Sequence, residues 1–453
     1  MNSQATARVV AALPEEAPST REGLLAVAAL PKDALSEAVW RTGLLSVFDT
    51  FAVMRAGFGE PASKIARDLV LEEAGAPAAT LAGEAVRVPA RSAALANGTT
   101  AHALDYDDTH FGHIGHVSVA VLPAALAMGE AVDAPAEDVV AGFVRGAEAA
   151  CRVGKALGRA HYVAGFHQTA TSGAFGATVA AGSIAGLDGD AMDRALSIVA
   201  GRASGLRCQF GTMSKPLNAG IAAQNGVEAV LLAKRGFTAA DDGFGGAQGF
   251  CATHHGEDDH SAWAEPPPGR FLFTDNRYKL HACCHGTHAM IEALTSLVPA
   301  IAGRSVASIT VDTNPRWLSV CDIKVPRTGL EVKFSYAHIA AMVLSGVSTA
   351  ADETYTDALA ADPALREQAV RLTAVGREQL GDGEARLTVT LADGGTLTAE
   401  YDLDAPVDLE TLGAALRGKA AALIGDERAE AIWQRLDDLE ALSARNLAHS
   451  IAA

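Results

Sequence analysis

Residues 137–157 read EDVVAGFVRGAEAACRVGKAL, and this stretch places apolar residues three and four positions apart along most of its length. That spacing gives an α-helix one apolar face, whereas a half-buried strand would need alternation. The same spacing occurs in LLSVFDTFAVMRAG (44–57) and SVAVLPAALAMGEAV (118–132), with Gly, Pro and Asp between the segments. No strand-like alternation of any length appears before residue 265. The first part of the chain is therefore predicted to be all-α.

The pattern changes near the proline cluster 266–268, which we interpret as a hinge. Strands are predicted at 306–313, 385–391 and 395–402, the last two joined by a turn around Gly394. Helical spacing lies between them at 285–298 and 335–346, and it returns from residue 408. The predicted fold class is mainly α, with an all-helical domain (1–266 plus 408–453) and an inserted α+β lid domain (267–407). The cleft between two such domains is a favoured place for a ligand.

Composition narrows the possible partners and compartments. The net charge of −18 argues against nucleic acid or an anionic membrane as partner. Six cysteines without framework spacing indicate free thiols in a reducing compartment, which favours the cytoplasm. Residues 1–20 lack a basic start followed by an apolar run, so we expect no signal peptide. The sequence contains no uninterrupted apolar run of about 18 residues, so we expect no membrane span. Abundant Ala and Gly with 5% aromatic residues predict a core of closely approaching helices.

Chemistry-bearing side chains concentrate in HALDYDDTHFGHIGH, residues 102–116. We expect 91–109 to be helical, which puts Asp105, Asp108 and Thr109 on one face and turns Asp107 away. His110, His113 and His116 follow in a loop whose glycines suggest close backbone approach. Asp and His suit a divalent metal, but their spacing matches no closed ligand set. The DxDD letters suit a carbocation-forming acid, but the chain is poor in the aromatics such a cavity needs. Proton transfer by histidine needs no missing partner, and we favour it.

Three further segments carry candidate groups. His167 precedes a run of Thr, Ser and Gly at a predicted helix start, where exposed N–H groups and the helix dipole attract a carboxylate. Lys215 also lies at a helix start, where a cation opposes the dipole, a hint that it binds substrate. Residues 278–294, YKLHACCHGTHAMIEAL, have the wrong spacing for a zinc knuckle, and we expect hinge-side histidines there that face the cleft.

Taken in order, HALDYDDTH, GFH (165–167), GTMSKPLNAGIAAQNGVEA (211–229), KLHACCHGTHAMIEAL (279–294) and PRTGLEVKFS (326–335) resemble the MmgE/PrpD family over nearly the whole chain. The family includes 2-methylcitrate dehydratase, cis-aconitate decarboxylase and iminodisuccinate epimerase. The resemblance implies a large all-α domain with an α+β lid, a homodimer, a small polycarboxylate substrate and no required cofactor or metal.

Carried over position by position, the resemblance implies proton transfer by His116 and His167, with Lys215 holding a carboxylate or an enolate-like oxygen. Asp105 and Thr109 would orient the substrate. The expected substrate-binding residues are His110, His113, Cys284, His285 and Trp317. Cys284 stands where the decarboxylases carry histidine, Trp317 where they carry tyrosine, and the 110–116 loop also departs from their pattern. We expect dehydration, with epimerisation or decarboxylation next; a non-catalytic carboxylate-binding protein is the alternative from a different class.

Overall fold

A computed structural model describes residues 17–452, so most of the segment that bears on the signal-peptide expectation lies outside the described residues. Ten helices precede the lid region: α1 (Thr20–Ala28), α2 (Glu37–Gly57), α3 (Pro61–Glu73), α4 (Ala90–Ala101), α5 (Ser118–Ala131), α6 (Ala136–Val163), α7 (Gln168–Ile184), α8 (Gly189–Ala200), α9 (Ser214–Ala233) and α10 (Phe250–Thr253). Nine follow within the same described range: α11 (His288–Ile301), α12 (Pro315–Cys321), α13 (Gly329–Val332), α14 (Tyr336–Leu344), α15 (Asp357–Ala361), α16 (Pro363–Ala369), α17 (Leu409–Ile424), α18 (Asp426–Asp437) and α19 (Ala444–Ala448). The mainly α fold class is confirmed.

The strands form two sheets of unequal size. A minimal antiparallel pair, β1 (Ala79–Thr80) and β2 (Arg87–Val88), lies in the half where no strand was expected. The larger sheet has the order β4-β3-β5-β6, built from β3 (Val306–Thr313), β4 (Leu372–Gly376), β5 (Glu384–Leu391) and β6 (Thr396–Asp402). β3 runs parallel to β4 and antiparallel to β5, and β5–β6 is the predicted hairpin. The bounds of the two predicted domains stay a prediction.

Small residues let the central helices approach closely, as the composition predicted. α6 crosses α7 where Gly146 meets Gly176, and a Cβ on either glycine would lie 2.5 Å from the other's carbonyl oxygen. Similarly, α4 meets α9 at Gly98, where a Cβ would lie 2.8 Å from the Cα of Gly220. Contacts this short admit no side chain, so these crossings require glycine.

The segment around the proline cluster is anchored to α6 by a buried ion pair. The Arg152 guanidinium lies 2.6 Å from Glu148 and donates to the backbone carbonyls of Ala262 (2.5 Å), Glu265 (2.9 Å) and Arg270 (2.7 Å). The two carboxylate oxygens of Glu148 accept the backbone N–H groups of residues 272 and 273 at 3.0 and 2.8 Å. Charged groups are stable at such depth only when their hydrogen-bonding capacity is satisfied, and here the backbone supplies it.

Candidate active site

The site forms around a turn that ends a helix early. The expectation of a helix through Thr109 is wrong, because α4 ends at Ala101 and Asp105 has a left-handed backbone (φ 52°). Two contacts made by Tyr106 fix the turn: its hydroxyl donates to the Leu280 carbonyl at 2.8 Å, and its own carbonyl accepts from Lys419 at 2.7 Å. Asp is one of the few residues that tolerate the left-handed region. The side chains therefore converge through this turn and not along a helix face.

Asp105 lies at the centre of the converging groups. One carboxylate oxygen is 2.7 Å from Nζ of Lys215, 3.1 Å from Nζ of Lys279 and 3.3 Å from Nε2 of His116. Burial opposes its charge, but these neighbours prevail and hold the pKa of Asp105 well below its usual range. Its side chain keeps 36% exposure, so the cluster opens to the outside at this residue. Lys215 is the second residue of α9, as predicted.

Asp107 joins two histidines, although it was expected to point elsewhere. Its carboxylate lies 2.8 Å from Nδ1 of His102 and 2.8 Å from Nδ1 of His116. The first contact is an aligned hydrogen bond, while the second is equally short but not aligned as a hydrogen bond. Burial lowers the pKa of His116 to about 4, and Asp107 only partly offsets this effect. His116 is therefore neutral near pH 7, with Nδ1 towards Asp107 and Nε2 left to accept a proton.

Contacts with Thr169 of α7 fix the backbone at His116. Its backbone N–H donates to the Thr169 hydroxyl at 2.9 Å, and a Cβ on Gly115 would lie 2.8 Å from the Thr169 backbone nitrogen. The close approach expected from the loop glycines is thus found at Gly115. It fixes the ring relative to the helix that His167 precedes.

His167 is the residue immediately before α7, and its ring lies 6.1 Å from that of His102. The Asn218 side-chain amide donates to Nδ1 of His167 at 3.3 Å. Burial, with His102 and Lys215 nearby, holds the pKa of His167 well below its ordinary value. A neutral ring that accepts at Nδ1 carries its proton on Nε2. His167 therefore presents a donor, whereas His116 presents an acceptor.

Thr109 joins the loop to the segment before α11. Its hydroxyl lies 2.7 Å from Nδ1 of His285, and its backbone exchanges two hydrogen bonds of 2.7 Å with Arg277. Burial holds the pKa of His285 well below its ordinary value, and Nε2 of this ring has no partner among the described residues. Cys284, the residue before it, remains partly exposed.

Three predicted substrate contacts have structural partners instead, and the structure does not bring them to Asp105. His110 lies 2.8 Å from the Leu272 carbonyl through Nε2 and accepts the His113 backbone N–H through Nδ1. His113 lies 3.2 Å from the Ser172 hydroxyl, and Trp317 donates to a backbone carbonyl at 2.8 Å. Their substrate-binding roles remain predictions.

Asp108, expected on the same face as Asp105, has only structural partners. It accepts the side chain and backbone N–H of Ser118, which begins α5, and the amide of Asn276 at 2.6 Å. Burial raises its pKa to about 7. Asp108 therefore fixes the loop to α5 rather than joining the cluster.

Three members of the cluster were missed or misplaced by sequence reasoning: His102, Asp107 and Lys279. Lys279 is buried, and burial works against its charge, but Asp105 and Asp107 outweigh burial and raise its pKa. The tripeptide Tyr278–Lys279–Leu280 carried a usable signal, because a lysine between apolar residues before a cysteine-histidine run is unusual on a solvated face.

A metal ion is the main competing occupant. Among the described residues, His102, Asp105, Asp107 and His116 offer ligand atoms within 4.8 Å of one another. Two lysine ammonium groups already contact Asp105, and a divalent cation beside them would meet strong repulsion. The same cations favour an anionic ligand.

Between residues 17 and 452, no helix is long and apolar enough to cross a bilayer.

Comparison with known proteins gives matches along most of the chain. Models of the MmgE/PrpD N-terminal and C-terminal domains match residues 26–262 and 281–433. The cis-aconitate decarboxylase of Aspergillus terreus is 32% identical over 220 residues, 46% of this chain and 45% of the relative. The human cis-aconitate decarboxylase is 26% identical over 385 residues, 78% of each chain. The chain thus matches under half the length of the Aspergillus relative and over three quarters of the human one.

Proposed function

The chain belongs to the MmgE/PrpD family, and we propose that it is a cofactor-independent lyase acting on small polycarboxylic acids. One observation carries the proposal: two lysines and the neutral His116 contact the ionised Asp105, which opens to the outside, and the neutral His167 lies in the same cluster. The lysines suit the carboxylates of a polyanion. The histidines suit movement of a proton without charge on the resting ring.

The hydrogen bonds support distinct roles for the two histidines. His116 acts as the base, because Nδ1 of the neutral ring faces Asp107 and leaves the lone pair on Nε2, where Asp105 at 3.3 Å favours the arrival of a proton. Once protonated, the ring lies between Asp105 and Asp107, whose charges stabilise the imidazolium. His167 acts as the acid, because Asn218 occupies Nδ1 and leaves Nε2–H to donate. Thr109 orients His285 in this scheme.

Lys215 and Lys279 act on the charge that develops in the substrate. Loss of a proton or of CO₂ next to a carboxylate leaves an electron pair that delocalises onto oxygen as an enolate. Ammonium groups already fixed by Asp105 need little reorganisation to stabilise that oxygen. Both side chains are mostly buried (15% and 4% exposed), which strengthens the effect because little water screens it.

Decarboxylation is the first candidate, because the relatives compared above carry that name. Dehydration, expected first from the family resemblance, is the second, because a separate acid such as His167 would protonate a departing hydroxyl. Epimerisation needs the same base and returns the proton to the opposite face. The predicted homodimer and cytoplasmic location remain proposals, and light scattering tests the former against a chain mass of 46.5 kDa.

The test is incubation with citrate, 2-methylcitrate, cis-aconitate and iminodisuccinate in D₂O, followed by NMR. CO₂ loss, loss of hydroxyl and deuterium incorporation without net product identify the three reactions. Lys215→Met should lower kcat/KM by about 10²–10³-fold, as for loss of one stabilising donor. Lys234→Met, at an exposed position where α9 ends, is the matched control and should not. Turnover of Lys215→Met within a few-fold of wild type contradicts the assignment, and loss of activity on dialysis against a chelator contradicts cofactor independence.

A further inference from the structure

His102 is a buried histidine of the cluster, and the end of α4 sets its position. It directly follows this helix, and its backbone N–H donates to the Gly98 carbonyl at 3.3 Å while its carbonyl accepts the Asp105 N–H at 3.2 Å. The helix is itself fixed at Gly98, where a Cβ would lie 2.8 Å from the Cα of Gly220. His102 is 1% exposed, so its ring is packed against protein atoms. The ring therefore has a fixed position within the candidate site.

The side chain of His102 makes one hydrogen bond among the described residues, and its partner is Asp107. Nδ1 lies 2.8 Å from one carboxylate oxygen in aligned geometry, whereas Nε2 is buried without a partner in the same part of the chain. Burial opposes the charge of Asp107, but His102 and His116 outweigh burial and hold the pKa of Asp107 well below its usual range. An ionised carboxylate only accepts hydrogen bonds, so Nδ1 of His102 carries the hydrogen. The one polar contact of the buried ring therefore fixes this oxygen of Asp107.

The other oxygen of Asp107 faces His116, for which a second carboxylate competes. This oxygen lies 2.8 Å from Nδ1 of His116, while Asp105 lies 3.3 Å from Nε2 of the same ring. A neutral imidazole carries one hydrogen, and the acceptor that binds it decides which nitrogen holds it. Proton abstraction by Nε2 requires this hydrogen to be on Nδ1, so Asp107 must prevail over Asp105.

The rings of His102 and His116 are also in contact. Their centroids are 4.5 Å apart and their planes meet at 60°, an edge-to-face arrangement, whereas the His167 ring lies 6.1 Å from that of His102. His102 therefore contacts both the carboxylate and the ring that form the contact between Asp107 and His116. Because that contact is short but not aligned, a small displacement of either partner would weaken it.

We propose that His102 is a positioning residue that selects the tautomer of His116 through Asp107. This inference rests on the proposed function, in which Nε2 of His116 takes the proton. The hydrogen bond from His102 fixes one oxygen of Asp107, so that the other stays at Nδ1 of His116 and holds the hydrogen there. Without this bond Asp107 can rotate, and the hydrogen moves to Nε2, where Asp105 accepts it. No lone pair on Nε2 is then left for the substrate.

The first experiment measures the tautomer directly and needs no turnover. Protein labelled with ¹⁵N-histidine is studied near pH 7 by long-range ¹H–¹⁵N NMR, and the His116 signals are identified by their loss in His116→Gln. Wild-type His116 should carry its hydrogen on Nδ1, and His102→Leu should move it to Nε2. His102→Asn should keep it on Nδ1, because the asparagine amide nitrogen can take the place of the histidine Nδ1 and donate to Asp107.

Each result of the NMR experiment decides a different point. An unchanged His116 tautomer in His102→Leu overturns the inference alone. Hydrogen on Nε2 in the wild type overturns the assignment of His116 as base as well. His102→Gln, whose amide reaches the place of Nε2 and not that of Nδ1, should behave as His102→Leu does and replaces it where that variant fails to fold.

The second experiment separates positioning from a purely structural role. His102→Leu should lower kcat by about 10²-fold, as for loss of a correctly protonated acid–base group. KM should stay within about threefold of wild type, because both lysines remain in place, and His102→Asn should recover most of the lost kcat. His338→Leu is the matched control, because His338 of α14 is also 1% exposed and its side chain makes one hydrogen bond among the described residues, to the Leu359 carbonyl at 3.1 Å. This control should lower the melting temperature and keep kcat.

The kinetic outcomes are equally distinct. A kcat of His102→Leu equal to that of the wild type, or equal losses in His102→Leu and His102→Asn, overturns the inference. No turnover by the wild type on any acid overturns the proposed function, while the tautomer of His116 in the two variants still decides whether His102 positions this ring.

Discussion

Replacing Lys419 by methionine should destabilise the protein strongly, because it leaves a carboxyl buried without its partner. Lys419, in α17, lies 2.7 Å from Asp49 of α2, and the two side chains are 1% and 2% exposed. Burial raises the pKa of Asp49 and lowers that of Lys419, although each charge opposes the effect on the other. The same ammonium group donates to the Tyr106 carbonyl, between Asp105 and Asp107. The substitution therefore disturbs both the helix packing and the turn of the candidate site.

The cost follows from the geometry of the pair. Removing one member of a buried ion pair typically costs about 3–5 kcal/mol, while removing both is often nearly neutral. Unfolding entropy of about 2.1 cal/mol/K per residue, over roughly 300 residues of helical domain, converts that cost to a melting temperature lower by about 5–8 °C. The double variant Asp49→Leu with Lys419→Met should recover most of this loss. The lost contact with the Tyr106 carbonyl should remain, worth about 1 kcal/mol.

The assay is thermal unfolding followed by circular dichroism, with Lys234→Met as an exposed lysine control. A melting temperature for Lys419→Met within about 1 °C of wild type refutes the reasoning, since the expected shift is several times larger. A double variant as unstable as Lys419→Met also refutes it, because the uncompensated charge would then not be the cause.

Asp107→Asn should lower kcat by about 10²-fold or more, because a neutral amide cannot stabilise the protonated His116 ring as the carboxylate does. A kcat equal to that of the wild type in steady-state assays contradicts this role. Stability should fall as pH drops from about 6.5 towards about 4, since His116 stays neutral in the folded chain while the unfolded chain binds the proton, and melting temperatures across this range check the sign. A melting temperature that stays constant over this pH range would contradict the neutral state of His116 in the folded chain. Gly146→Ala should cost about 1–3 kcal/mol, because its Cβ would lie 2.5 Å from a carbonyl oxygen. Gly418→Ala, in α17 with no atom within 4 Å, should add about 0.5–1 kcal/mol, and equal effects in thermal unfolding would contradict the packing argument.

The local spacing of apolar residues was enough to predict most helices, but it did not predict the turn that follows α4 at the candidate site. The run from Arg91 to Ala101 is helical as expected, yet the helix stops there because Tyr106 bonds to residues 174 and 313 positions away. No local pattern records such contacts. The helical face drawn through Asp105 and Thr109 therefore selected relevant residues for an incorrect geometric reason, and it turned Asp107 away from the histidines it contacts.

Residues at element ends were easier to place. His167 and Lys215 lie at helix starts that the sequence marks by composition, and both lie at the cluster. The strand β4 was missed, since its five residues pair in parallel with β3, and such pairing leaves no turn signal. Cys284 was selected by resemblance alone, and the structure leaves it partly exposed beside the buried Cys283.

The anchoring of the proline cluster by Glu148 and Arg152 limits how the molecule can admit a substrate. Because carbonyls and amides between residues 262 and 273 bond to α6, this crossing cannot bend without exposing a buried ion pair. Any opening of the candidate site must therefore take place without movement of this crossing. In hydrogen–deuterium exchange, the amides of Leu272 and Phe273 should exchange as slowly as those inside α6. The prolines would then mark a fixed corner of the chain while substrate enters and leaves the site.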